Sequence, residues 1–384
     1  MGPSAKAFYL GLAGLALFEA LKVYFIMPMP GSQGIESLGM AYFLHTYRWV
    51  FRVGFLIAIA LGSGVFLRGR KWLPALAASG TIVVVWLINF EMTAERMFRQ
   101  PAKLALRARG DNSVGEDSIV LGIERNGETK AYPIRFLVYH HQVQDSIGGG
   151  PVIVTYCSVC RTGRVFEPIV DGRLEKFRLV GMDHFNAMFE DASTHSWWRQ
   201  ATGEAVIGPL KGAMLPEIDA RQLSLREWFK LHPSSLVMQP DEKSKADYDL
   251  KGKFERGEST GKLTRTDSAS WKDNSWVVGI QIASASKAYD WNRLKAQRVI
   301  NDRVGNVPVV LVLAADQRNF AAFVRTDAGL IFKLNGDVLS ANGQSFDLSG
   351  RNLTGSGQPL KEMNAHQEFW HSWRTFHPGT LRDL

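Results

Sequence analysis

The sequence is poor in cysteine: 384 residues carry two, Cys157 and Cys160. That scarcity excludes a disulfide scaffold. A second Cys-x-x-Cys is missing, so a four-cysteine zinc knuckle is excluded as well. Position 161 is Arg rather than His, which argues against covalent haem, whose attachment needs Cys-x-x-Cys-His. Long basic blocks are also missing. The net charge is +8 with a pI near 9.4, yet the basic residues are scattered and no run exceeds Arg68-Gly-Arg70-Lys71. This argues against nucleic acid as a partner. The apolar stretch 8–27 runs into Met27-Pro-Met-Pro-Gly31, which lacks the small-residue cleavage site of a signal peptide.

What the first ~95 residues do have is apolar length. Residues 8–27, 53–67 and 74–90 are three apolar runs, each near the roughly 20 residues a membrane helix needs. Trp49 and Trp72 flank them as interfacial anchors. Glu19 and Lys22 interrupt the first run one helical turn apart, a spacing that lets them neutralise each other. Asn89 and Glu91 lie at the end of the third. We expect a three-helix membrane anchor. In that arrangement Lys6 and the Arg68–Lys71 loop lie on one side. Arg48, Arg52, Arg96, Arg99, Lys103, Arg107 and Arg109 lie on the other. Counting charge mildly favours a cytoplasmic C-terminal domain, though large domains translocate regardless of charge.

From Ser118 the pattern turns soluble and β-rich. Asn126-Gly127, Gly148-Gly149-Gly150 and Asp171-Gly172 each separate two β-branched or apolar runs, the signature of hairpins. Residues 133–142 and 223–231 predict short helices. The chain then resembles itself. Val120-x-Gly122-Ile123 and Lys130-Ala131-Tyr132 return as Val277-x-Gly279-Ile280 and Lys287-Ala288-Tyr289, at an offset of 157 residues. The same offset carries Asp145 onto Asp302, Gly148 onto Gly305, Pro151 onto Pro308 and Phe166 onto Phe323 without a gap. Trp228-x-x-x-His232-Pro233 returns as Trp373-x-x-x-His377-Pro378. We read two copies of one unit. Shared positions then belong to folding: Asp145 and Asp302 are expected at turns, Trp228 and Trp373 in helix-terminating core contacts. Cys157 and Cys160 map onto Ala314 and Gln317, so the second copy has no thiols.

The thiols admit three kinds of chemistry and one bland reading. A Cys-x-x-Cys pair followed by Arg161 and Arg164 suits thiol–disulfide exchange, because the cations favour thiolate. The same pair at a β-turn suits half of a metal site, for zinc or Cu(I), with His184 as the first candidate ligand and His195, His140 and His141 after it. Nucleophilic catalysis by Cys157 with His184 or His140 as base is a further reading. The bland reading is two structural cysteines in a β-core. Candidate catalytic residues are therefore Cys157, Cys160 and Arg161, and candidate metal ligands Cys157, Cys160 and His184. In Ser196-Trp-Trp-Arg-Gln200, adjacent tryptophans point to opposite faces of a strand. Trp198 with Arg199 is a candidate binding platform, and packing of both tryptophans in the core is the alternative.

Ala131-Tyr-Pro133, Asp145-Ser-Ile-Gly-Gly149, Pro151-Val-Ile-Val-Thr-Tyr-Cys157-Ser-Val-Cys160 and Trp198-Arg-Gln-x-x-Gly203 carry a resemblance, continued by Gly208-Pro-Leu-Lys-Gly212 and Trp228-x-x-x-His232-Pro233. Over roughly residues 118–384 the chain resembles bacterial domain-of-unknown-function family 3179. It departs from the common pattern at Arg161, where the family has Gly, and across residues 181–191. Members look like exported or lipid-anchored proteins, which implies a plasma-membrane protein with a periplasmic C-terminal domain. The family carries no activity to import. The expected fold is α+β, mainly antiparallel β, with two tandem copies of one β-rich unit behind the anchor. Residues 1–96 are the anchor (helices about 8–29, 51–68 and 74–92), 97–117 a juxtamembrane linker, and 118–240 the first repeat. Residues 241–270 are a polar linker and 271–384 the second repeat. The expected function is a redox or metal site at the cysteines. The alternative is a non-catalytic module binding a small molecule or an envelope protein through a groove between the copies.

Overall fold

A computed structural model describes residues 2–67, 70–355 and 357–383. Arg68 and Gly69, part of the basic loop counted above for orientation, lie outside the described residues. The chain forms two compact units. One holds the chain up to Arg99 together with Lys176–Arg199 and Glu204–Met214; the other holds Gln100–Glu175, Gln200–Gly203 and Leu215–Leu384.

In the first unit three helices are long and apolar enough to cross a membrane: Pro3–Tyr24, Arg48–Leu67 and Trp72–Glu91. The last ends in a π-helical turn, Leu87–Glu91. Leu10, Val50, Leu61 and Ile82 leave about two-thirds or more of their surface open, as a lipid-facing surface would. Gly11 lies against Ile59 and Gly14 against Phe55, and a Cβ at either would collide. Small residues thus let the first helix approach the second, which is how membrane helices gain packing without a hydrophobic drive. A short helix, Leu38–Thr46, precedes the second of these helices. Strands Phe177–Asp183, Asn186–Asp191, Trp197–Arg199 and Ala205–Ile207 form an antiparallel sheet in chain order. Its Val180, Met188 and Trp197 pack on Ala41 and Tyr42.

The second unit is α+β with mostly antiparallel pairing. In its first half Ile119–Arg125 and Glu128–Pro133 form a hairpin around Asn126-Gly127, both residues at positive φ, as a type I′ turn requires. Helix Ile134–His140 follows. Then come Gln142–Ile147, Gly150–Cys157 and Thr162–Phe166, three antiparallel strands. Strand Arg221–Ser224 closes one edge, and Leu236–Met238 adds in parallel to Glu128–Pro133. The second half runs in the same order. It has hairpin Trp276–Ile282 with Ala285–Asp290, helix Trp291–Gln297, and strands Val299–Val304, Val307–Leu313 and Phe320–Val324. Edge strand His366–Phe369 is antiparallel, and Leu381–Arg382 is parallel.

Trp228 and Trp373 are buried. Gly122 abuts the first and Gly279 the second so closely that a Cβ would overlap the indole. Asp145 and Asp302 differ from expectation. They stand in strands, not turns. Asp145 accepts from Tyr132 Oη at 2.7 Å and pairs with Lys130 at 3.2 Å; Asp302 pairs with Lys287 at 2.6 Å. The Lys-Ala-Tyr triplet of each half thus supplies the partners of its aspartate. The polar stretch expected as a linker carries helix Lys245–Glu255, whose Tyr248 and Phe254 are buried in the core of the first half.

Candidate functional site

Cys157 ends its strand opposite Thr162, and residues 158–161 make the turn between them. Such four-residue loops are common in hairpins. Arg161 takes the left-handed conformation, φ +55°, which is uncommon for a side chain of its size. Cys157 and Cys160 are fully buried, and no disulfide joins them. The turn is gripped from the second half. Cys160 O accepts from Phe369 N at 2.9 Å, and Val159 O lies 3.0 Å from His371 Nε2.

Both arginines that follow the thiols are buried and engaged. Arg161 donates to Phe254 O and Glu255 O, each at 2.9 Å, and to Gln367 Oε1 at 3.3 Å. Its guanidinium lies 3.7 Å above the Trp276 ring. Arg164 meets Glu368 Oε1 at 2.5 Å and donates to Ala201 O at 3.1 Å. Thr162 Oγ1 donates to the same Glu368 oxygen at 2.8 Å. Gln200 links Thr155 Oγ1 and Thr162 O, both at 3.1 Å. Burial pulls the Arg161 guanidinium below its usual range, against the opposing pull of Tyr156 and Glu255. Burial likewise pushes Glu255 and Tyr156 upward. Three buried atoms here, Tyr156 Oη, Arg164 Nη1 and Glu368 Oε2, have no hydrogen-bond partner among the described residues.

Beside Arg161 opens a cavity of ≈530 Å³. Both halves line it: Ile119, Arg161 and Gln222 from the first, and Trp276, Trp291, Lys295 and Arg318 from the second. Its walls carry Arg161, Arg256, Lys295 and Arg318 against Asp117, Glu255, Glu258, Asp267 and Asp316, so neither sign dominates.

The other candidates stand elsewhere. His184, His195, Trp198 and Arg199 belong to the helical unit, whereas Cys157, Cys160, His140 and His141 belong to the β-rich one. His184 Nδ1 lies 2.7 Å from Asp183 and its Nε2 3.3 Å from Glu36. The Asp183 bond raises its pKa despite partial burial. His184 and Phe185 both have positive φ, a two-residue turn made without glycine. His195 pairs with Glu190 at 3.4 Å, and His140 Nε2 contacts Tyr248 Oη at 2.6 Å. Trp197 and Trp198 are both buried, and Trp198 Nε1 donates to Asp191 at 2.9 Å. Arg199 pairs with Asp183 at 2.6 Å. Among the described residues no three His, Cys, Asp or Glu side chains are grouped to hold a metal ion.

Sequence reasoning passed over Gln367 and Glu368. A signal was available: the 145-residue offset that places Trp228 on Trp373 also places Gln222 on Gln367 and Leu223 on Glu368. A carboxylate stands where the first half has leucine. The matched glutamines touch each other, Gln222 Nε2 to Gln367 Oε1 at 2.9 Å.

No curated protein and no solved structure matches the chain. A family model described as "Protein of unknown function (DUF3179)" matches residues 101–380, which takes in the whole cysteine turn and every strand that grips it. The chain therefore belongs to the DUF3179 family.

Proposed function

We propose that the protein is a membrane-anchored binding protein of the bacterial envelope, with its β-rich unit in the periplasm. That unit takes a small, hydroxyl-rich ligand, uncharged overall, in the cavity beside Arg161. The cavity itself carries the reading. At ≈530 Å³ it falls within the ~300–1,000 Å³ typical of small-molecule sites. Balanced donors and acceptors with two indoles suit a neutral polar molecule better than a strongly charged one. The common element order of the two halves supports descent from one duplicated unit, with the ligand held where the two meet. The test is tryptophan fluorescence of the detergent-solubilised full chain, titrated with neutral saccharides and polyols. A saturable change that weakens in Lys295→Ala and Trp276→Ala is expected. A flat response across the panel in a folded protein would sink the reading.

A second reading keeps the thiols functional, as a redox pair or as ligands for zinc or copper. What favours it is that Cys157 enters and Cys160 lies on one buried four-residue turn, in a site that also holds the unpartnered Tyr156 Oη and Glu368 Oε2. Elemental analysis and thiol titration of the same preparation separate the two. Bound metal, or a pair that changes state between reducing and oxidising buffers, supports the thiol reading. Metal-free, redox-inert thiols leave the cysteines as core residues.

A further inference from the structure

The three apolar helices bring charge together at one end. Glu19 near the end of the first helix, Arg52 near the start of the second and Asn89 in the π-turn of the third meet directly. Arg52 Nε lies 2.6 Å from Glu19 Oε1, Arg52 reaches Asn89 Oδ1 at 2.7 Å, and Lys22 reaches both Glu19 Oε2 and Asn89 Oδ1 at 2.7 Å. Ionisable groups among apolar spans are costly and mark functional positions by default. This cluster does more than neutralise itself, because a cavity of ≈420 Å³ opens against it.

That cavity is rich in cations. Lys22, Arg48, Arg52 and Arg178 line it with His45, and Glu190 is among its few carboxylates. Glu190 is already spoken for by Arg178 at 2.6 Å and His45 at 3.4 Å. Arg48 is different. Half-buried, it donates to the His45 carbonyl at 2.6 Å, and it pairs with no carboxylate among the described residues. The carboxylates that line the cavity, Glu95 and Glu190, both meet Arg178, so the Arg48 guanidinium keeps its capacity for a further anion. The surroundings say which anion. Trp49, Val50, Val53, Trp86 and Phe90 are exposed on the adjoining helix turns, and indoles at that level mark the headgroup region of a bilayer. Basic pockets between membrane helices are known to bind anionic lipid headgroups.

We propose that this cavity binds the phosphate of an anionic phospholipid, with Arg48 and Arg178 on the headgroup and the exposed apolar helix turns against its acyl chains. The proposal rests on the three helices lying in a membrane.

The experiment is lipid analysis by mass spectrometry of the full chain purified in detergent, as wild type, Arg48→Gln and Arg70→Gln. Each variant removes one positive charge, the first in the cavity and the second in the loop between the other ends of the helices. Wild type and Arg70→Gln should retain phosphatidylglycerol, and Arg48→Gln about fivefold less. Equal loss in both variants would mean general attraction of anionic lipid and would overturn the proposal. A parallel arm adds inorganic phosphate to delipidated protein. If phosphate raises its melting temperature as much as phosphatidylglycerol does, the anion is soluble phosphate and the headgroup assignment falls. Alkaline carbonate extraction keeps the two levels apart. Release of the wild-type chain from membranes overturns the membrane reading itself. Retention without phosphatidylglycerol enrichment overturns only the headgroup site.

Discussion

The turn at residues 158–161 and the turn at 315–318 occupy the same place in the two halves of the β-rich unit, yet three of four residues are buried in the first while all four are exposed in the second. Each turn docks on the edge strand of the opposite half. In one direction Cys160 O accepts from Phe369 N; in the other, Asn319 Oδ1 accepts from Ser224 N at 2.6 Å. Ser224 and Phe369 are matched by the 145-residue offset. The means differ. The second turn is held largely by its own Asp316, which accepts from the backbone N–H groups of Arg318 and Asn319, with Asp337 accepting from Ala315 N. The first is held from outside by Glu368 and by the carbonyls of Phe254 and Glu255, at the end of a helix found on that side. Burial of the cysteine turn is therefore the joint work of the segment between the halves and of the second half's edge strand, whose Glu368 and Phe369 hold it.

The largest expected effect breaks that grip. Glu368→Ala leaves buried Arg164 with only the longer 3.9 Å contact to Glu217, and losing one partner of a buried pair costs about 3–5 kcal/mol. Asn319→Ala removes the reciprocal contact, which is neutral, and should cost on the order of 1 kcal/mol. Thermal melts of both variants in detergent check the pair. Equal losses would erase the proposed contrast between an externally gripped turn and a self-held one.

Acid should separate the halves next. The residue after the short helix is left-handed in both: His141 at φ +62°, Arg298 at φ +59°. Arg298 reaches Asp337 at the surface, at 2.6 Å. Burial instead pushes the His141 imidazole down to about 3. The folded state then holds His141 neutral while the unfolded chain protonates it below about 6.5. Stability from this group is complete above that value and is lost as pH falls toward 3, by up to about 1.4 kcal/mol per unit. His141→Asn, which tolerates the left-handed backbone, should flatten the loss of melting temperature between neutral pH and pH ~4.5. An unchanged acid profile in that variant would place the acid sensitivity elsewhere.

What the halves share should respond alike. Gly122→Ala and Gly279→Ala each drive a Cβ into a buried indole, Trp228 or Trp373, and overpacking of this kind costs about 1–3 kcal/mol. Matched losses in denaturant melts are expected. Tolerance of one substitution alone would show that the two glycine–tryptophan contacts are not equivalent.

The return of Gly122 as Gly279 and of Trp228 as Trp373 was legible from the chain and marked all four as folding positions; that each glycine abuts its tryptophan from within a strand is a tertiary contact the sequence does not show. The Asn126-Gly127 and Gly148-Gly149 turns were legible for a local reason: positive φ at adjacent positions selects those residues. The three apolar helices followed from length and composition. Helix Lys245–Glu255 was not legible, since a few buried residues such as Tyr248 and Phe254 anchor an otherwise polar segment. Glu368 was hidden for the opposite reason. One charge in a strand reads as a solvent-facing residue until the arginine it meets, 204 residues away, is known. Membership of residues 176–199 in the helical unit likewise depends on tertiary contacts that no local pattern announces.

The smallest expected effect concerns the thiols themselves. The second half builds the same hairpin with Ala314 where the first has Cys157, so Cys157→Ala should cost on the order of 1 kcal/mol, the transfer energy of one small buried group. Cys160→Ala should cost about as little, because it is the Cys160 backbone carbonyl, not its sulfur, that holds Phe369. If the cysteines are core residues, the double variant keeps both its fold and any saccharide-dependent fluorescence change. If they form a redox or metal site, the double variant still folds but loses the response to oxidant or the bound metal. Melting temperature and ligand response measured on one preparation thus decide between the two readings of the turn. A double variant that failed to fold would contradict both, since neither assigns the sulfurs more than a small share of the stability.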